Sequence, residues 1–223
     1  LQSYFIQRIE DILQKRGKRL LGWDEILEGG LARQAAVMSW RGMQGGEEAA
    51  KAGHDVVMSP TSHAYFDYYQ ADPDFEPKAI GGFLSLKKVY SFEPVPEGLN
   101  EKEAAHILGA QGNLWTEYIP TPSHAEYMAL PRMSAMAEVG WTHPDNKSWP
   151  SFIKRMQKQY KRFDNAGFNY SKGSYKVDIQ TENKNNKLLI LLGSEQYQAD
   201  IRYTIDGSIP DSNSKPYEKP IVV

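Results

Sequence analysis

The sequence has no cysteine, which excludes disulfides, thiolate metal sites and a cysteine nucleophile, and leaves the redox compartment open. It has no apolar run near the roughly 18 residues that a membrane-spanning helix requires. Charge of one sign is also scarce: 26 basic against 28 acidic residues leave a formal charge of −2 over 223 residues. No large positive field is available to hold a polyphosphate, so neither nucleic acid nor an anionic membrane is an expected partner. Solenoid-period repeats, low-complexity tracts, a Gly-rich phosphate turn and a Gly-x-Ser-x-Gly elbow are all missing. The five histidines lack metal-ligand spacing, and neither a cofactor nor a metal is expected. Aromatic residues are plentiful, with 5 Trp and 13 Tyr, enough to wall a pocket for flat, hydroxyl-bearing ligands.

Leu1 runs straight into a helix over residues 2–15, with Phe5, Ile6, Ile9, Ile12 and Leu13 on one face. With neither an initiator Met nor a signal peptide, the chain is expected to start inside a longer polypeptide. Short strands are expected at residues 19–26, 35–40, 54–59 and 107–117, with small helices at 45–52 and 101–106. Residues 60–100 form an expected long loop, rich in Tyr, Asp, Pro and Phe. A helix over 123–139 is expected to turn Tyr127, Leu130, Met133, Met136 and Ala137 inward. A second helix starts at Ser148 with Pro150 in its first turn, buries Phe152, Ile153, Met156, Tyr160 and Phe163, and stops at Gly167. Trp141 and Trp149, at the junction of these helices, are expected packing anchors.

Four strand–helix units imply parallel strands with helical crossovers. The expected fold class is α/β, the C-terminal half of a (β/α)8 barrel, with two open edges. From residue 170 the pattern changes to short strands with turn signals at residues 183–186 and at Asp206-Gly207. The expected domains are residues 1–167 and a small, incomplete all-β domain at 170–223, whose end, residues 220–223, opens a last strand.

Three places pair an aromatic ring with a carboxylate two positions later: Trp23 with Glu25, Tyr65 with Asp67, and Trp115 with Glu117. In extended backbone each pair faces one side. At the carboxyl ends of barrel strands, with Trp40 as a fourth ring, they form an active-site face that suits a sugar: rings against C–H faces, carboxylates accepting from hydroxyls. Asp24 and Glu25 face opposite ways and cannot flank one glycosidic bond, so Asp24 is structural and Glu25 a buried pocket-wall anchor.

The segments Gly22-Trp23-Asp24-Glu25-Ile26, Met38-Ser39-Trp40-Arg41-Gly42, Ser59-Pro60 with Tyr65-Phe66-Asp67, and Gly112-Asn113-Leu114-Trp115-Thr116-Glu117 resemble, in order, strands five to eight of the family-20 glycoside hydrolases, the β-N-acetylhexosaminidases. The helix with Arg132, Ala137-Glu138 and Trp141 resembles the family's eighth-helix region. The stretch from Ile201 through Asp206-Gly207-Ser208 to Pro210 resembles its appended small β domain.

The resemblance implies an exo-acting, retaining enzyme in which the substrate's own 2-acetamido oxygen attacks the anomeric carbon, an exception to the two-carboxylate scheme. It implies that Tyr65 donates to that oxygen and is catalytic. Trp23, Trp40 and Trp115 would wall the acetamido pocket and sugar face, and Asp67 and Glu117 would bind the outer hydroxyls. The partner would be a glycan or chitooligosaccharide with a terminal N-acetylhexosamine, and the location periplasmic or secreted in a bacterium. The family's acid, the Glu of a His-x-Gly-Gly-Asp-Glu motif on strand four, does not occur in this sequence. The chain alone is therefore expected to be inactive and to self-associate through its open edges. Two alternatives remain at this stage: a non-catalytic carbohydrate-binding or scaffold module, and another retaining barrel glycosidase with Glu25 or Glu117 as acid.

Overall fold

A computed structural model describes residues 1–222; Val223, the last residue of the expected terminal strand, lies outside them. Helix α1 (Gln2–Gln14) leads into a sheet of four parallel strands in chain order: β1 (Leu21–Trp23), β2 (Ala36–Ser39), β3 (Val56–Met58) and β4 (Ile107–Ala110), with α2 (Gln44–Lys51) between β2 and β3 and α5 (Glu101–Ala104) before β4. The register pairs Trp23 with Met38, Ser39 with Met58, and Met58 with Ala110. β2 lies inside the sheet and is buried along its whole length, which accounts for its continuous apolar text. β1 and β4 each pair on one side only among the described residues. The sheet is an open half of the (β/α)8 arrangement, as expected.

Two strands are shorter than their sequence implies. β1 stops at Trp23, and residues Asp24–Leu27 form a 3-10 turn. β4 stops at Ala110, leaving Trp115 and Glu117 in irregular chain beyond it. In both places side-chain bonds to backbone, described below, replace the ladder. Residues 60–100 are not a structureless loop. They contain α3 (Thr61–Ala64), a 3-10 turn at Pro73–Phe75 and α4 (Leu86–Tyr90), and they bury Phe66, Leu84, Val89 and Phe92 in the main core.

The helix expected over 123–139 is two helices, α6 (Pro122–Ala129) and α7 (Arg132–Trp141), because Pro131 supplies no amide to continue the first. The break rotates the buried face to Met128, Ala135, Met136 and Val139, and Met133 and Ala137 face out. Trp141 is not a packing anchor here: it is 92% exposed. Trp149 does pack, 5.5 Å from Tyr90 and 5.6 Å from Phe152. The apolar stripe of α1 is also only partly covered, with Phe5 61% and Ile12 45% exposed, while Glu10 on another face is buried and accepts from the Gln34 amide at 2.8 Å.

Helix α8 (Trp149–Ala166) begins at Ser148, whose side chain accepts from the Ser151 amide, and ends at Gly167 with φ +72°, a conformation that glycine adopts without strain. Its five expected apolar residues are all buried. A hairpin follows, β5 (Val177–Lys184) and β6 (Lys187–Ser194), joined by Asn185 and Asn186 at φ +52° and +59°, the sign a two-residue primed turn needs. β9 (Ile221–Val222) joins this sheet, and β7 (Arg202–Tyr203) pairs with β8 (Lys215–Pro216). Polar bonds tie the hairpin to the barrel half: the Ser85 hydroxyl donates to Glu195 at 2.6 Å, and Gln157 donates to Gln196 at 2.7 Å.

Two outcomes follow for stability. Phe152 stacks on Tyr90 at 4.6 Å, so Phe152→Ala is expected to cost about 3–5 kcal/mol, whereas Met133→Ala on the outward face should stay within about 0.5 kcal/mol; urea unfolding of this chain distinguishes them. Burial pushes the phenols of Tyr160 and Tyr170 up to about 12. Their folded-state values are raised, so the stability they lend is fully present below about pH 10 and is lost as pH rises through about 12. An alkaline unfolding titration should show that loss, reduced in Tyr160→Phe.

Candidate active site

The carboxyl ends of the four strands open on a cleft of about 410 Å3, into which Trp23, Trp40, Tyr65, Asp67, Trp115 and Glu117 all project. Trp23 is the last residue of β1, and Trp40 follows the last residue of β2 directly. Tyr65 and Asn113 form a parallel bridge beyond the ends of β3 and β4. It is fastened by the Phe66 amide on the Asn113 carbonyl, 2.6 Å, and the Asn113 amide on the Ala64 carbonyl, 2.7 Å. The bridge continues the sheet for one step, and that step aims Tyr65, Asp67 and Trp115 into one space.

The rings are mutually braced. Trp23 and Trp115 lie 5.7 Å apart, tilted, and Trp40 lies 6.3 Å from Tyr65, nearly parallel. Asp24 and Glu25, both in the 3-10 turn, divide the work of holding Trp40. Asp24 is almost fully buried and accepts from the backbone amides of Trp40 and Arg41, at 3.0 and 3.2 Å, and from Arg41 Nε at 2.7 Å. Both Glu25 oxygens accept from the Trp40 indole N–H at 3.1 Å. Glu25 lines the cleft and is half-buried rather than buried, because β1 has already ended and the turn carries its side chain toward solvent.

Tyr65 is buried, and burial raises its phenol above the ordinary value, with Trp115 and Asn113 beside the hydroxyl pulling it partly back. It is a protonated donor at neutral pH. Asp67 is 4% exposed and its Oδ1 has no partner. Burial raises its carboxyl, opposed by its own backbone amide and by the Arg132 guanidinium and reinforced by Glu117. Glu117 stands exposed at the rim. Asn113 is buried, accepts from Gln111 at 2.8 Å, and leaves its Nδ2 unpaired. A buried acceptor and a buried donor without partners are costly, and a hydroxyl of a ligand in the cleft, which Asp67 lines, would supply the partner that its Oδ1 lacks. Among the described residues no cluster of His, Asp or Glu is arranged to hold a metal.

Tyr68, Ile80 and Asn113 are site residues that sequence reasoning did not single out. Tyr68 sits 5.7 Å from Tyr65, one residue past a motif already noted. The loop carrying Ile80 lies against the Tyr68 ring so closely that a Cβ on Gly82, at φ +66°, would come 2.5 Å from it. No local pattern marks that approach.

Asp24 and Glu28 hold the same guanidinium, but only Asp24 also holds the Trp40 backbone. Asp24→Ala is therefore expected to destabilise the chain by about 1–3 kcal/mol. Glu28→Ala, at an exposed pair, should cost no more than about 0.5 kcal/mol. Urea unfolding of the two variants is the check.

Residues 1–144 match the family model described as glycosyl hydrolase family 20, catalytic domain, and residues 190–223 match one described as Fn3 associated. A β-hexosaminidase of Porphyromonas gingivalis is 43% identical over 99% of this chain and 29% of its own length. One of Akkermansia muciniphila is 31% identical over 74% of the chain and 34% of its own length. The chain thus spans about a third or less of these relatives. Among solved structures, a GH20 exo-β-N-acetylglucosaminidase of Vibrio harveyi in complex with N-acetylglucosamine has a TM-score of 0.70 at 34% identity, over 77% of this chain and 27% of that one. Streptomyces plicatus N-acetyl-β-hexosaminidase in complex with thio-NAglucal gives a TM-score of 0.69 at 25% identity, over 77% of this chain and 36% of that one. With the family model over most of its length and structural likeness over three quarters of it, the chain belongs to glycoside hydrolase family 20, of whose catalytic barrel it carries the C-terminal half.

Proposed function

We propose that this chain forms the greater part of the wall that grips the terminal sugar in an exo-acting, retaining β-N-acetylhexosaminidase. That enzyme would release terminal N-acetylglucosamine or N-acetylgalactosamine from glycans or chitooligosaccharides. The observation that carries the reading is the cleft itself: four braced rings line it together with a buried, unpartnered carboxylate oxygen on Asp67. The complexes of the Vibrio and Streptomyces relatives with N-acetylglucosamine and thio-NAglucal make an N-acetylated hexose the natural occupant.

In this reading the 2-acetamido group lies between Trp23, Trp40 and Trp115. Tyr65, kept protonated by burial, donates to its oxygen and fixes it for attack on the anomeric carbon. The carbonyl oxygen forms the new bond, the glycosidic bond breaks, and the cyclic oxazolinium is later opened by water with net retention. Asp67 and Glu117 accept from the outer hydroxyls and end the site at one sugar. Proton delivery to the leaving oxygen falls to an acid outside these residues, so this chain alone binds without turnover, and its uncovered sheet edges make it prone to pair with a second copy.

Tyr65→Phe tests the assignment in the full-length protein. It removes a donor and almost no volume, so kcat on 2-acetamido substrates is expected to fall about 10²–10³-fold with the melting temperature unchanged. Near-normal turnover would count against the role of Tyr65.

A further inference from the structure

Arg132 is completely buried at the start of α7, where arginine is seldom found without a carboxylate partner. Its hydrogen bonds run to backbone instead. Nη1 donates to the carbonyls of Tyr68 and Leu84, both at 3.0 Å, and Nη2 to those of Phe66 and Met128, at 2.6 and 2.7 Å. The Phe66 ring lies 5.2 Å from the guanidinium carbon. Phe66 and Tyr68 are the two neighbours of Asp67, so one planar fork spans the backbone on either side of that carboxylate. The Leu84 bond fastens the far end of the loop that brings Ile80 to the cleft.

From this geometry we infer that Arg132 is a positioning residue for the sugar site, holding the Phe66–Tyr68 backbone so that the Asp67 carboxylate stays aimed in the buried wall. The inference rests on the sugar-binding reading of the cleft. A guanidinium suits the task because its donors are fixed in one plane; a lysine ammonium cannot bridge four carbonyls. Its charge has a second effect. The groups that face it are Glu76, Asp67 and Tyr127, and Glu76 is already held by the Gln70 amide at 2.7 Å and the Tyr127 hydroxyl at 3.0 Å. Asp67 in turn faces Arg132, Glu117 and the phenols of Tyr65 and Tyr68. Arg132 is the one cation in that group, so it opposes the burial that would protonate the carboxylate, and an ionised acceptor makes the stronger bond to a sugar hydroxyl.

Calorimetry with N-acetylglucosamine between pH 4 and 8, on the full-length protein, tests both effects. Arg132→Lys keeps the charge and loses the fork; it is expected to weaken binding by about 10- to 100-fold. On an Asp67→Asn background the same change should weaken binding less than about twofold, since the two act through one group. Arg132→Gln removes the charge, so the loss of affinity on acidification should begin at a higher pH. Losses that simply multiply in the double variant, or an acid limb that stays put in Arg132→Gln, would reduce Arg132 to a packing role. Should one variant fail to fold, the other still decides the matter. Wild-type protein that takes up no N-acetylglucosamine would defeat the sugar reading itself, a result separable from an unmoved acid limb in protein that binds.

Discussion

Everything in the cleft depends on four parallel strands ending at one level. The ladder sets Trp23 against Met38 and Ser39 against Met58, so the chain leaves each strand on the same face, and whatever follows the last ladder residue is delivered there. The strands are only three or four residues long, and of the site residues they carry only Trp23. Side-chain to backbone bonds extend the order past the strand ends. Asp24 fixes the turn after β2, the Ser59 hydroxyl donates to the Gln111 carbonyl at 2.9 Å, and Arg132 gathers the chain around Asp67. Buried polar groups thus set the precision of a site whose visible surface is mainly aromatic.

That division explains what the sequence disclosed. Apolar periodicity and end signals mark α8 from Ser148 to Gly167, and ring–acid spacing picks out six of the nine residues that line the cleft. Several of these residues reach the cleft by routes other than the extended backbone that the spacing implies. Only Trp23 of its pair is in a strand; Glu25 reaches the same space from a 3-10 turn, and Trp115 and Glu117 from irregular chain. Long-range contacts were invisible to any local pattern. The approach of Gly82 to Tyr68, the bridge at Asn113 and the burial of Arg132 arise between segments tens of residues apart. The break at Pro131 was readable, because a proline inside a helical pattern is a stop signal; the amphipathic rhythm on either side of it hid the change of face.

Some of the exposed apolar groups lie near the open edges of the sheet. Phe5 and Ile12 on α1, Leu21 on β1 and Leu108 on β4 belong to elements at or beside the two open edges of the sheet, whereas the buried core runs through β2, β3, α7 and α8. A closed (β/α)8 barrel covers such edges with further strands, and the chain spans 29% of its Porphyromonas relative. The cleft is open on the same sides, so water screens its carboxylates more here than in an enclosed site. Glu117, at the rim, feels that most; Asp67, deep in the wall, feels it least.

Trp141 gives these residues an unplanned optical use. Three of the five indoles border the cleft, Trp149 is packed among rings, and Trp141 is the most exposed, at 92% against 41% for Trp115 at the cleft. Emission from a wetted indole is red-shifted and open to iodide, so it forms a constant, quenchable background against which the cleft indoles can be followed. A sugar entering the site would perturb the cleft indoles, and Trp141→Phe would remove the background without touching the wall.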